Sequence, residues 1–334
     1  MNTRVEAESK RSFHITDYLG NGIYVLCIAF MILAATKNKN FLTIGNLLLV
    51  LQQASPFLIA STGMAMVLMS GGIDLSVGQN MLLSAAVAAR TTQYFMKAGI
   101  AKADTPLLFI LAIIVAACVG GLIGCVNGFT IAKLQLIPFI ATLAMQNIAR
   151  GLALIIMNGQ SQTLDGLTKT VNSRIGGSIP MVIIPAIFVL VSVNFVSRYM
   201  PFGRRVKAVG RSAENARKIG IKVVKTRIIV HALCGVVVGI CGIMSASQLQ
   251  YVQQSHGSGS EFIIVSGCTL GGVSLFGGKG DIIPGAVVGV LMVQMIVNGL
   301  VMMNASPYIY TIARGVIIFL AIMIESIKYK GILR

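Results

Sequence analysis

A chain of 334 residues that is 55% hydrophobic and only 11% charged is no ordinary soluble protein, which carries about 25% charged residues. Its apolar runs reach the roughly 20 residues needed to cross a bilayer, so it reads as an all-α polytopic membrane protein. The net charge of +17 is no nucleic-acid signature, because residues 198–227 alone hold ten Lys or Arg against one acid, Glu214.

Residues 1–17 form a polar tail with Arg4, Lys10 and Arg11. No small-residue cleavage site follows the first apolar run, which therefore reads as a retained span rather than a signal peptide. The expected membrane domain starts at residues 18–197, with spans at about 18–35, 47–70, 75–95, 107–132, 139–157 and 180–196. Pro56 and Gly63 in the second span suggest a bent or broken helix. The polar loop 158–179, with Asp165, Lys169 and Arg174, suits an outer surface where another protein sits, or ordinary loop padding.

The basic stretch 198–227 comes next, and Lys/Arg-rich loops stay on the cytoplasmic side. Spans at about 228–249, 262–275, 282–301 and 308–327 complete a second membrane block, 228–327, before the basic tail 328–334. With both tails and the central loop inside, even numbers of spans must separate them; six and four give ten, and Lys133 also falls inside. The short 262–275 segment is the one place where a re-entrant hairpin would break this parity.

Glycines at 120, 124 and 128, and the pairs 235/239 and 285/289, form bare helix stripes that let a neighbouring backbone approach closely. Gly71–Gly78 (GGIDLSVG) and Gly271–Gly278 (GGVSLFGG) match at four of eight positions, and Val126-Asn127-Gly128 recurs as Val297-Asn298-Gly299. Paired glycine-interrupted segments in two halves point to a repeat-built transporter, so an internal pseudo-repeat is expected.

Catalytic chemistry has little to work with. The three histidines, His14, His231 and His256, are scattered, and neither a zinc-protease helix motif nor a phosphate-binding loop occurs. The six cysteines lie in apolar segments without C-x-x-C spacing, which reads as packed, reduced thiols. No catalytic, cofactor or metal residue is assigned.

Polar residues inside spans mark either helix-to-helix pairing or a solute path. Asp74 is a gate residue or a cap on the third span. Arg150 and Arg314 each need a carbonyl, a carboxylate or water, as pairing or as path lining. Asn127, Gln146, Asn147, Gln294 and Asn298 bond neighbouring helices or line a path.

Within the basic stretch, Ser212 is placed to cap a short helix that ends near Gly220. Ala213, Ala216 and Ile219 are expected on one face. A stiff helix shown to the cytosol would dock in a groove of a soluble partner, or hold headgroups through Arg217 and Lys218.

These residues resemble a known family. GGIDLSVG at Gly71, Pro138–Ala144 (PFIATLA), Phe202-Gly203-Arg204 with Ala208-Val209-Gly210, Glu214–Ile221 (ENARKIGI) and GGVSLFGG at Gly271 are similar, in order and spacing, to permease subunits of bacterial ATP-binding-cassette sugar importers. The ribose, galactoside, xylose and galactofuranose permeases are the group most like it. The resemblance implies ten helices, two permease subunits (two copies or a related pair), a pair of cytosolic ATPases and a periplasmic sugar-binding protein, in the bacterial inner membrane with both termini cytoplasmic. It implies that Ser212, Ala213, Glu214, Asn215, Ala216, Gly220 and Ile221 couple the permease to its ATPase, and that no cofactor is bound. Two departures stand out: Ile263 where the family carries an acid, and Asp281 where it carries a small or apolar residue. Importers of nucleosides, autoinducer-2 or branched-chain amino acids, and an ion-coupled secondary transporter, are the alternatives.

Overall fold

The computed structural model describes Tyr24 and residues 27–326, except 101, 104, 165, 166, 168–170, 178, 307, 314, 317, 318, 321, 322, 324 and 325. Residues 18–23, 25 and 26 of the first expected span, both tails, Asp165, Lys169 and Arg314 lie outside the described residues. Among the described residues the helices are α1 (Cys27–Lys37), α2 (Ile44–Met69), α3 (Val77–Lys97), α4 (Pro106–Ala132), α5 (Pro138–Ile156), α6 (Ile183–Tyr199), α7 (Pro201–Arg211), α8 (Ala213–Lys218), α9 (Val223–Leu249), α10 (Ser260–Leu270) and α11 (Val287–Met302), the last entered through a π-helical turn, Ile282–Ala286, and residues 308–313 are helical as well. Four two-residue strands form two ribbons: β1 (Gln162–Thr163) with β4 (Tyr251–Val252), and β2 (Arg174–Ile175) with β3 (Ile179–Pro180), both antiparallel.

Five described helical stretches are long and apolar enough to cross a membrane: α2, α4, α5, α9 and Ile282–Met302. A sixth arises if α6 and α7, bent by 70°, count as one span. The fold divides into two units, one of residues 1–50 with 291–334 and one of residues 51–290.

In the larger unit α3 is sheathed by α4, α5 and α9. It carries Gln79, Asn80, Ser84 and Thr92, all buried, and is too polar to pass as a membrane span by composition. A helix walled off by other helices has no lipid contact to satisfy, so its own apolarity is unconstrained. The outer helices take that role: Leu107, Ile114, Leu122, Ile148, Ile155 and Phe188 are all exposed.

The glycine stripes do what bare stripes allow. A Cβ on Gly120 would overlap the Gly235 carbonyl, one on Gly239 the Ala116 carbonyl, and one on Gly124 the His231 carbonyl. Thus α4 and α9 lie backbone to backbone. Gly289 meets the Gly267 carbonyl in the same way.

Of the bent or broken helix expected for the second span, the broken form does not occur: α2 runs on through Pro56. Proline has no N–H for the carbonyl four residues back, and that carbonyl, on Gln52, instead accepts from Gln248 Nε2 of α9 at 2.8 Å. A side chain from a neighbouring helix repairs the ladder.

The segment expected as a span at 262–275 is also different. The helix α10 has only 11 residues, about 16 Å at 1.5 Å per residue, which is half a bilayer core. The chain nevertheless crosses the unit. It leaves β4 at the far end of the 27-residue α9. Its loop 253–259 lies against α3 and α9, with His256 Nε2 3.1 Å from Ser245 Oγ and 3.2 Å from the Gly242 carbonyl. After α10 it reaches the opposite end, where Gly278 N–H donates to the Met69 carbonyl at 2.9 Å. A loop and a half-helix replace one full span.

In the smaller unit, Asn298 of α11 and Asn46 of α2 exchange side-chain hydrogen bonds at 2.9 and 3.1 Å. Asn38 Nδ2 donates to the Met302 carbonyl at 3.0 Å. Gly299 leaves room for Phe30, Ala34 and Phe41.

Candidate functional site

The basic stretch is two helices rather than a loop. Met200 is extended (φ −85°, ψ 153°) and Pro201 sits at the first turn of α7, where a proline costs no hydrogen bond and starts a new helix. Gly203, Val206 and Val209 are its buried members, while Arg204, Arg205 and Arg211 stay exposed. Spacing of three with arginines between them, directly after a proline, was the available sequence signal for α7.

The short helix α8 is closed at both ends by its own chemistry. Ser212 is extended, and its hydroxyl accepts from Asn215 N–H at 3.2 Å. At the other end Gly220 takes φ +82°. Its N–H donates to the Arg217 carbonyl and Ile221 N–H to the Ala216 carbonyl, both at 2.9 Å. This bond pair with a left-handed glycine is a Schellman stop. Ala213 and Ala216 pack with Val209, Val223 and Ile221.

Ile219, expected on that same face, is 73% exposed. Each step of three residues drifts 60° around a helix, so the third member of the series has turned away, and Ile221 takes its place across the stop. Glu214 is exposed and pairs with Lys218 at 2.7 Å, one turn on. A groove of about 430 Å³ between α7 and α8 is lined by Arg204, Lys207, Arg211, Ser212, Asn215 and Ile219. Removing the cap with Ser212→Ala should cost about 1 kcal/mol. Amide exchange at Asn215 should then quicken about fivefold, which exchange mass spectrometry of that segment reads directly.

Three glycine motifs that are far apart in sequence meet at this end. Gly210 lies against the Met69 carbonyl and Gly278 N–H, and Gly277 lies against Gly71 and Gly210. The GGIDLSVG and GGVSLFGG segments therefore touch each other and the end of α7. Lys207 of α7 also pairs with Asp281 at 2.9 Å, which gives that unusual acid a partner.

Asp74 is 2% exposed. Its Oδ1 accepts from Ser76 N–H at 2.9 Å and Ser76 Oγ at 2.6 Å, so it steadies the turn before α3, whose N-cap residue is Ser76 and not Asp74. Asn127 Nδ2 reaches both carboxylate oxygens at 3.2–3.3 Å and Ser76 Oγ at 2.8 Å. Turn bracing and helix-to-helix pairing are the same network.

The remaining polar residues scatter. Gln146 Nε2 lies 3.5 Å from Glu261 Oε1, and Asn147 donates to the Leu143 carbonyl of its own helix. Arg150 is exposed on α5. Gln294 is buried in α11. Of the cysteines, all are free; Cys118 and Cys125 are exposed on α4 and the other four are buried.

A family model described as the permease component of branched-chain amino acid transport systems matches residues 46–323. That is well over half the chain, from the start of α2 past α11. The chain belongs to this permease family. Its relatives include the Escherichia coli K12 ribose import permease protein RbsC, 34% identical over 90% of this chain and 92% of that one. The galactose/methyl galactoside import permease protein MglC of the same strain is 30% identical over 97% and 99%. The D-allose transport system permease protein AlsC, also of that strain, is 31% identical over 98% and 99%. This permease is thus similar along nearly its whole length to permeases of sugar transport systems.

Proposed function

We propose that this permease forms, with a second permease copy or a related permease, the path by which a monosaccharide delivered by a periplasmic binding protein enters a bacterial cell, driven by two cytosolic ATPases. The near-complete overlap with ribose, galactose and allose permeases carries this reading. The family description names branched-chain amino acids, but the ribose, galactose and allose permeases match the chain over nine-tenths or more of its length.

The basic end of the larger unit faces the cytosol, as loops rich in Lys and Arg do, and both termini lie there after ten spans. The α8 helix, with Ser212, Ala213, Glu214, Asn215, Ala216, Gly220 and Ile221, is the knob an ATPase grips. Exposed Ile219 and the arginines of α7 offer it apolar and cationic contact. Closure of the ATPases on ATP drags α8, the Gly71–Gly210–Gly277 joint passes the displacement to α2, α3 and α10, and the path opens outward. The chain itself needs no catalytic group.

The test is uptake of labelled ribose, galactose and allose into vesicles holding the permease, with and without its ATPase and binding protein. Uptake requiring ATP and the ATPase is expected. Gly220→Pro forbids φ +82° and removes a stop hydrogen bond, a loss of at least about 1.4 kcal/mol, or tenfold. It should lower uptake and stimulated ATP hydrolysis by that much while insertion persists. Uptake driven by an ion gradient with this chain alone would overturn the reading.

A further inference from the structure

The half-helix α10 and the loop before it bring a polar seam into the interior of the larger unit. Gln79 of α3 is 2% exposed; its Nε2 donates to Ser258 Oγ at 3.2 Å, and its Oε1 has no hydrogen-bond partner among the described residues. Glu261, on the first turn of α10, is 5% exposed. The backbone at Gly259 and Glu261 steadies its carboxylate, Gln146 approaches Oε1 at 3.5 Å, and Oε2 has no well-formed hydrogen bond among the described residues. That oxygen rests against Gly78, where a Cβ would overlap it.

Depth makes this arrangement unusual. Gln146 sits midway along the candidate span α5. Non-helical backbone at membrane depth is tolerated only where it is buried in protein or lines a cavity. Buried acceptors left unpaired cost free energy, and a carboxylate costs more than an amide.

Gln79 Oε1 is an acceptor, and Glu261 Oε2 is an acceptor in its ionised form, so the matching ligand is a donor. Gln146, half-exposed, connects the seam to the face of α5 where Asn147 and Arg150 are exposed. We propose that Gln79, Gln146 and Glu261 form a transit station for a neutral polyhydroxylated solute, whose hydroxyls donate to Gln79 Oε1 and Glu261 Oε2 when the loop 253–259 parts from α3. This rests on the reading of the chain as a monosaccharide permease. The station sets which sugars pass after the binding protein has released them.

The test uses the complete complex in vesicles, reading sugar uptake and binding-protein-stimulated ATP hydrolysis in Gln79→Leu, Gln146→Leu and Glu261→Gln. Uptake per ATP hydrolysed is expected to fall about fivefold in each leucine variant, because Gln79→Leu removes one solute hydrogen bond of about 1 kcal/mol and Gln146→Leu removes the amide that steadies Glu261. Glu261→Gln is expected to change the order of preference among ribose, galactose and allose. Gln146 is only half-buried, so Gln146→Leu keeps the test valid if the Gln79 variant fails to fold. Uptake and hydrolysis falling in parallel, or an unchanged ratio, would overturn the station while leaving the importer reading intact. Sodium-dependent uptake abolished by Glu261→Gln would make the carboxylate a cation site and also overturn it. A wild-type complex that carries none of the three sugars removes the importer reading and the station together.

Discussion

A Gly124→Leu permease is expected to be lost from the membrane as a folded protein. Its first side-chain carbon would overlap the His231 carbonyl, and Gly120, Gly128, Gly235 and Gly239 repeat the same intimacy along α4 and α9. No rotamer relieves an overlap at Cβ, so the two helices must separate. Overpacking alone costs about 1–3 kcal/mol. Separation also draws Asn127 from Asp74, and a buried carboxylate that loses one hydrogen-bond partner while keeping those from Ser76 costs about 1–3 kcal/mol more. Size-exclusion profiles and Tm in detergent check the outcome. Gly151→Leu is the control, because nothing lies within 4 Å of a Cβ there, and its profile should match wild type. A Gly124→Leu protein with a Tm within about 3 °C of wild type, a change of roughly 1 kcal/mol, would show that close approach is dispensable.

Gly210→Val should give the second large effect, and on function rather than folding. Position 210 touches the Met69 carbonyl and Gly278 N–H, and Gly277 lies against the Gly210 carbonyl. Valine would push α7 off this joint and stretch the Gly278–Met69 hydrogen bond of 2.9 Å. The bulk of the larger unit, built on α3, α4, α5 and α9, is untouched, so insertion should persist. Reconstituted with its partners, the variant should keep basal ATP hydrolysis and lose stimulation by the binding protein, with uptake down by about tenfold or more, the equivalent of 1.4 kcal/mol. This pattern differs from that of the transit-station variants, which keep stimulation. Stimulation at wild-type level in Gly210→Val would remove the joint from the transmission route.

Helix caps were legible because they are local. Ser212 and Gly220 close α8 as their side chain and backbone freedom dictate, with all partners within nine residues. Close packing at Gly120, Gly124 and Gly128 was legible for a similar reason, since spacing of four places three bare positions on one stripe. Ile219 was misplaced because a spacing of three drifts around the helix, and the helix ends before it. The unbroken α2 was not legible: the group that rescues the Gln52 carbonyl is Gln248, 196 residues away. Nor could composition reveal α3 as a central helix, since only neighbours decide whether a polar helix meets lipid.

Sequence by itself determined the membrane class, the basic segment and its capped helix, because charge density, apolar length and cap chemistry act over one or two turns. Tertiary structure alone decided which distant glycines share a joint, that one crossing is a loop and half a helix, and that Gln79 and Glu261 share a seam with unpaired oxygens. Those facts depend on how closely separate helices approach and on which polar atoms find a partner, and both are set by packing between segments up to two hundred residues apart.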